Sequence, residues 1–378
     1  MSGLSFAAAL APWQRLATTR SRRHLIGLTL LLELVLVALV FAIGERGTAA
    51  APLLVAVLLG VANGAYSAFF WTTQRVLFAA TLGTGDAGRR YGNFQIFVTV
   101  LLKLGIVIGG LVLEAGGLGW LLLLSLLIAG AAQWQLCRLL PADPLVEALP
   151  AAASRSGDRR TRLVFLVDGV FLLLESHFWT LSLFLVFGED FARLGLLVVV
   201  LGIAFALLFW LTKNLVDRVP PSPFYAVAVG LYALSWALRA LSDAPSGEAV
   251  LLALLVVVTF CSSVFRLTFN KRFYEHAQGA GIVPYLVWKS RLSQTALGLT
   301  FLGMALALML GQGPVLHALD ATYMAAVPLA LLYLAFPAVR SMRAPASVTP
   351  DRGANLVAVD RAMMNERTTD HARPVRDA

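Results

Sequence analysis

Two carboxylates, Asp168 and Glu175, stand seven residues apart within an otherwise apolar stretch of the sequence. At 100° per residue, this spacing returns to nearly the same face of a helix, and Trp179 extends that face by one further turn. A carboxylate that meets water in one state and a cation in another can take up and release a proton. The face therefore indicates proton handling, and Glu175 is the best candidate for the accepting group.

Further ionisable side chains lie in the apolar runs at Glu33, Lys103 and His177. Glu33, Lys103 and Glu175 fall about 14, 15 and 18 Å along their runs, near the middle of a hydrocarbon core of about 30 Å. A charge there costs about 2.5–3.5 kcal/mol on insertion scales, so each needs a partner or water. Lys103 is a candidate counter-ion for Glu175, whereas His177 points to another helix face. Alternatively, these groups only form structural pairs that hold helices together.

The composition places these groups in a membrane protein. Of the 378 residues, 59% are hydrophobic and 13% are charged, against about 25% charged in a soluble domain. The apolar runs lack the in–out alternation of barrel strands, so they predict an all-α fold of about ten transmembrane helices. The predicted spans are 24–43, 51–71, 93–113, 118–140, 163–187, 194–216, 222–241, 249–269, 287–310 and 318–339.

The positive charge follows the connections between the predicted spans. The net charge is +9, and arginine and lysine concentrate on alternate connections, which predicts that both termini are cytoplasmic in a bacterial inner membrane. The cations are spread over six separate segments, a pattern that argues against a nucleic-acid-binding surface. Membrane lipids and a small solute are the expected partners.

Motifs for other chemistry are missing from the sequence. It contains no G-x-x-x-x-G-K-[ST] phosphate loop and no H-E-x-x-H pair, and Cys137 and Cys261 lack disulfide or metal-ligand spacing. We therefore expect no enzyme activity, no cofactor and no metal.

The connection 141–162 is the only long one between predicted spans, and it divides the chain. We expect a cytoplasmic segment at 1–23, four helices over 24–140, a linker at 141–162, six helices over 163–340 and a disordered tail at 341–378. The rival architecture is two five-helix repeats that meet near 188–191, which leaves the long basic linker unexplained.

Several segments resemble, in order over about 15–340, the major facilitator superfamily of secondary transporters. The likeness is carried by Asn63–Tyr66, Arg89–Gly92, Leu104–Gly110, Leu194–Leu196 and Lys213–Arg218. The chain departs from the family at Gln14 and Thr18, where the family has Gly and Asp. Its long central loop follows the fourth helix rather than the sixth, which implies that the first two helices are absent and that 1–12 are the end of the second.

The resemblance implies a secondary transporter that moves a small organic or lipid-like solute by alternating access, coupled to protons. Efflux is favoured because the predicted cavity is rich in aromatic side chains. The resemblance assigns gating to Asp217, Arg218, Arg89 and Arg90, and helix packing between the two halves to Gly105, Gly109 and Gly110. The alternative function is a non-transporting scaffold or assembly partner, which the missing helices favour.

Overall fold

The computed structural model describes residues 1–46, 52–80, 87–140, 143–146, 158–186, 191–218, 221–242, 248–310 and 315–338. These residues form α-helices joined by short connections, and this part of the chain contains no β-strand. The result agrees with the predicted all-α fold. Backbone polar groups in hydrocarbon must be bonded within their own segment, so long apolar runs become helices.

Four helices precede the central linker and form what we call the N-terminal half. They are α1 (Ser2–Thr19), α2 (Arg22–Arg46), α3 (Pro52–Ala80) and α4 (Ala87–Leu139). Gly117 divides α4 into two arms because its backbone has a φ of +78°, a conformation that glycine adopts without steric cost. The two arms correspond to the predicted spans 93–113 and 118–140.

The remaining helices form the C-terminal half. They are α5 (Arg159–Leu173), a π-helical turn (Leu174–Phe178), α6 (Trp179–Val186), α7 (Phe191–Arg218), α8 (Pro221–Arg239), α9 (Glu248–Ala280), α10 (Ile282–Leu310) and α11 (Val315–Leu331), followed by a 3-10 turn (Leu332–Ala335). The segments α5, π turn and α6 together occupy one predicted span, 163–187.

Length and apolar composition qualify five of the described helices to cross a membrane, and two shorter helices are also apolar. The five are Arg22–Ile43, Leu54–Ala80, Gly88–Leu139, Arg159–Val186 and Val250–Ala280. Large apolar side chains such as Phe97, Leu111 and Trp120 are more than 60% exposed. A surface of this kind fits hydrocarbon rather than water, so the chain is a multi-pass membrane protein.

Helix α1 packs within the helical bundle. The sequence predicted a cytoplasmic segment at 1–23 with 1–12 as the end of a family helix, and in the structure Phe6, Leu10 and Trp13 form a buried face of α1 that packs on α3 and α10. The indole nitrogen of Trp13 donates a hydrogen bond to Thr73 Oγ1 of α3 at 3.0 Å. The face has helical periodicity, which a hydropathy window of about 19 residues cannot detect in so short a run. With α1 in the bundle, the four-plus-six arrangement is not confirmed.

An aromatic core holds the C-terminal half together. Phe171, Tyr232, Phe265 and Tyr333 are fully buried, and the rings of Tyr232 and Phe265 stack at a centroid distance of 4.0 Å. These residues come from α5, α8, α9 and the 3-10 turn, so one cluster fixes four elements relative to one another. The polar groups described next are embedded in this core.

Candidate ion-coupling site

Asp168 is a buried carboxylate on α5 with three hydrogen-bond donors. Its side chain is 1% exposed. Oδ1 accepts hydrogen bonds from Arg266 Nη1 and from the Tyr333 hydroxyl, both at 2.9 Å, and Oδ2 accepts one from Lys289 Nζ at 2.6 Å. Charge-assisted bonds of this number compensate for the loss of water around the carboxylate. The surroundings therefore hold Asp168 in its charged form.

Glu175 lies seven residues further along, in the π-helical turn that follows α5, and is more accessible. Its Oε1 accepts a hydrogen bond from the Tyr232 hydroxyl at 2.7 Å, and its Oε2 accepts two from Arg266, from Nε at 3.0 Å and Nη2 at 2.6 Å. The side chain of Glu175 is 22% exposed. The π turn Leu174–Phe178 contains Glu175, and such turns are frequent at functional sites.

One guanidinium therefore joins the two carboxylates. Arg266 binds Glu175 through Nε and Nη2 and Asp168 through Nη1, while the ion pair of Lys289 among the described residues is with Asp168. The four groups carry two negative and two positive charges. Pairing of this kind lets charges persist inside a protein, and removal of one member leaves its partner buried and uncompensated.

A third cation, Arg239, follows on α8. Its Nη1 donates a hydrogen bond to Ser235 Oγ at 2.9 Å and its Nη2 donates one to Ser262 Oγ at 3.0 Å. The guanidinium lies 4.1 Å from the ring centre of Trp236 and 5.1 Å from that of Trp179. Arg239 is 3% exposed, and within the described ranges its Nε has no hydrogen-bond partner.

Sequence reasoning placed Asp168 and Glu175 on one face, and the structure brings both to the same arginine. It did not identify Arg266 and Lys289, because arginine and lysine near the connections were explained by the orientation of the chain in the membrane. Both cations lie within three residues of the ends of the predicted spans 249–269 and 287–310. In the structure α9 continues to Ala280 and α10 begins at Ile282. Continued helical spacing of Phe265, Phe269 and Phe273 is the signal that could have extended α9.

The two halves are also in contact where the end of α3 and the start of α4 approach α9 and α10, a region that contains Arg75, Arg89, Arg90, Lys271 and Arg272 and that we call the basic end. There Arg75 Nη1 of α3 donates a hydrogen bond to Ser290 Oγ of α10 at 3.4 Å. The ring of Tyr274 on α9 packs against Phe78 of α3 at 5.4 Å and Tyr91 of α4 at 5.9 Å between centroids. Aromatic rings and one hydrogen bond therefore join the two halves at the basic end.

Comparison with known proteins shows which fold the helices form. No family model and no curated protein matches the sequence. Solved structures do match. A bacterial homologue of the iron transporter ferroportin, in an outward-facing state, is 14% identical with a TM-score of 0.63, covering 88% of this chain and 87% of its own. The chain has the major facilitator fold.

Two further solved structures share the fold. The Escherichia coli fucose:proton symporter FucP is 16% identical with a TM-score of 0.59, over 89% of this chain and 88% of its own. The human organic anion transporter TETRAN is 16% identical with a TM-score of 0.56, over 89% of this chain and 79% of its own. The fold expected from the sequence resemblance is therefore confirmed.

Within the major facilitator fold, the other predicted ionisable residues lie apart from the Glu175–Arg266 pair. The aliphatic stem of Lys103 packs against Gly202 of α7, so Arg266 rather than Lys103 is the ion-pair partner of Glu175. Glu33 on α2 is partly exposed and lies near Tyr66 of α3. His177 is exposed, and its ring lies 5.1 Å from that of Phe301.

The close packing predicted for Gly105, Gly109 and Gly110 occurs elsewhere. A Cβ at Gly105 or Gly110 would meet no atom within 4 Å, and one at Gly109 would meet only Leu121 of its own helix, at 3.5 Å. The halves instead approach closely where α1 crosses α10. A Cβ at Gly3 would lie 2.6 Å from the Gln294 carbonyl oxygen, and one at Gly298 would lie 2.7 Å from Leu4 Cγ.

The predicted gating residues lie near helix ends. Arg89 and Arg90 are exposed in the first turn of α4. Asp217 and Arg218 end α7, and their side chains fall outside the part of the chain that the structure describes. The assignment of these four residues to gating remains a prediction.

Proposed function

We propose that this chain is a secondary active transporter of a bacterial inner membrane, with both termini cytoplasmic. It moves a small organic or lipid-like solute by alternating access and couples this movement to protons. The major facilitator fold and the buried, charge-paired face of α5 and the π turn support the proposal. An apolar, aromatic interior suits an apolar cargo, and for this reason we propose efflux as the direction.

The observation that carries the proposal is the sharing of Arg266 between Asp168 and Glu175. Asp168 has a second cation, Lys289, and is almost fully buried. Glu175 is more exposed and depends on Arg266 as its only ion-pair partner among the described residues. Protonation of Glu175 would remove one of the two charges that hold Arg266, while Asp168 keeps the other. Glu175 is thus the group whose charge can change without loss of the whole network.

Alternating access requires that the contacts between the halves break at one end and form at the other. Contacts among Phe78, Tyr91 and Tyr274, together with the Arg75–Ser290 hydrogen bond, join the halves at the basic end, and we propose that they close it. If the basic end is cytoplasmic, as positive charge favours, this conformation is the outward-facing one. We propose that protonation of Glu175 frees Arg266 and favours release of these contacts.

A transport screen tests the proposal. Purified protein in proteoliposomes is offered chemically distinct labelled solutes, namely sugars, organic acids, organic cations and amphiphiles, with and without an imposed pH gradient. The proposal predicts gradient-dependent movement of at least one class. Movement of none, by a protein that is folded and inserted, would favour the scaffold function instead.

A further inference from the structure

We propose that Arg239 is the recognition group for the carboxylate of an organic monoanion. This inference rests on the proposed transport function, because it assigns the substrate class of the same site. It is carried by the difference between two arginines that lie close together in the C-terminal half, the partly exposed Arg266 and the buried Arg239.

Arg266 shows how a carboxylate binds the side edge of a guanidinium, which is formed by Nε and Nη2. Its Nε and Nη2 both point to Oε2 of Glu175. On the same edge of Arg239, Nε is buried and has no hydrogen-bond partner among the residues that the structure describes. An unpartnered donor of a charged group in a buried position is costly. Its presence indicates a site that a ligand completes.

The end edge of Arg239 is occupied by neutral groups. Ser235 and Ser262 accept from Nη1 and Nη2, and their hydroxyl oxygens lie 3.4 Å apart. Two acceptors so close together match the two Nη atoms at the end of the guanidinium, which leaves the Nε side for a further acceptor. Neither serine carries charge, so these two hydrogen bonds fix Arg239 in place without neutralising its cation, and the negative charge nearby is that of Glu175, which already pairs with Arg266.

Charge balance indicates the sign and number of the ligand charge. Asp168 and Glu175 are matched by Arg266 and Lys289, and Arg239 adds one cation that no described carboxylate pairs. A monoanion would balance the cluster. The planar Nε–Nη2 edge fits the two oxygens of a carboxylate, a bidentate geometry that arginine favours.

The surroundings indicate an apolar body for this anion. Trp236 and Trp179 lie at 4.1 and 5.1 Å from the Arg239 guanidinium. Trp179 and Ser262 are partly exposed, so the guanidinium lies directly behind side chains that a solute can reach. Trp179 stands one turn from Glu175, and Ser262 stands one turn from Arg266. Anion binding would therefore occur beside the proposed proton acceptor.

Equilibrium binding of radiolabelled benzoate to purified protein in nanodiscs tests the inference. We expect saturable binding that hexanoate competes and that neutral benzamide does not. Arg239→Lys keeps the positive charge but loses the two parallel N–H donors of the guanidinium, so it should weaken benzoate binding by about tenfold or more. Arg239→Met should abolish binding. Arg272→Met is the matched control and should bind as the wild type, because Arg272 stacks on Tyr225 and donates to the Pro337 carbonyl outside this site.

Thermal unfolding separates binding from a structural role. Removal of an uncompensated buried cation should leave the Tm of the ligand-free Arg239→Met variant unchanged or raised, while the benzoate-dependent rise in Tm disappears. Benzoate binding by Arg239→Met at the wild-type level would overturn the inference. So would a failure of both Arg239 variants to fold, binding of inorganic phosphate in place of carboxylates, or no binding of benzoate or hexanoate to the wild type.

The binding assay and the transport screen test the two proposals separately. Protein that binds benzoate through Arg239 but moves no solute would contradict the transporter proposal and leave the anion site standing. Protein that moves neutral solutes with a pH gradient and binds no anion would contradict the anion site alone.

Discussion

Arg266 presents Nε and Nη2 to a single carboxylate oxygen of Glu175, at 3.0 and 2.6 Å. The third nitrogen of the same guanidinium binds Asp168 at 2.9 Å. Two positions on the first membrane helix of the C-terminal half are thus joined to one position on α9. Loss of the charge on Glu175 would weaken one of the two ion pairs that connect this helix to Arg266 on α9. The ion pair between Asp168 and Arg266 would remain.

The role of Asp168 as a fixed charge predicts a stability defect. Asp168→Asn leaves Lys289 without its carboxylate, and it weakens one side of Arg266. Breaking a buried pair in this way costs about 3–5 kcal/mol. We expect a lower Tm and a smaller monodisperse fraction in detergent. Asp158→Asn, at an exposed position before α5 with no side-chain cap, should behave as the wild type. An unchanged Tm for Asp168→Asn would contradict the fixed-charge role.

The position of Lys103 predicts that it can lose its charge without loss of coupling. Lys103→Met keeps the aliphatic contact with Gly202, so gradient-driven uptake or efflux of the solute found in the screen should persist. Arg266→Lys cannot reproduce the fork to Glu175 and the bond to Asp168 together, and it should slow transport by about tenfold or more. Equal rates of gradient-driven transport for Lys103→Met and Arg266→Lys would show that transport does not depend on the ion pairs of Arg266.

Glycine packing between the halves predicts opposite effects at two positions. Gly3→Ala places a methyl group 2.6 Å from the Gln294 carbonyl oxygen, and overpacking of this kind costs about 1–3 kcal/mol. Gly105→Ala meets no atom and improves helix propensity by up to about 1 kcal/mol. Thermal unfolding should therefore show a decrease in Tm for the first variant and no decrease for the second. The reverse order would place the close contact on α4, as the sequence suggested.

Closure of the basic end predicts that removal of the Tyr274 ring exposes Ser290. Ser290 is buried, so a Cys at this position, in a background with Cys137 and Cys261 replaced by Ala, should react slowly with a polar maleimide. Tyr274→Ala should speed the reaction, because the contacts with Phe78 and Tyr91 are lost. Phe97→Ala removes an exposed ring on α4 and should not. Equal labelling rates at position 290 with and without Tyr274→Ala would mean that Tyr274 does not close this end.

Much of this arrangement could be predicted from local patterns. The apolar runs predicted the helices because a single segment in hydrocarbon must satisfy its own backbone hydrogen bonds, which an α-helix does. The seven-residue spacing of Asp168 and Glu175 put both on one face because helical periodicity nearly repeats over seven residues. Both signals depend only on residues close together in the chain.

The parts that could not be predicted depend on contacts between distant segments. Arg266 and Lys289 read as surface cations because a hydropathy window ends where charge appears, although helices continue when their polar side chains face protein. The role of Gly3 required knowledge that α1 crosses α10. Arg239 lies near the end of the predicted span 222–241, and only the structure shows that Ser262 and Trp179 lie beside it.

Proton movement in proteoliposomes tests the role of Glu175 most directly. Protein is reconstituted with a pH-sensitive dye inside, and the solute identified in the screen is added outside. We predict a solute-dependent pH change for the wild type and for Glu114→Gln, which alters an exposed glutamate on α4. Glu175→Gln should fold and insert normally but should give no pH change and no gradient-driven accumulation. A wild-type pH change in Glu175→Gln would contradict the account.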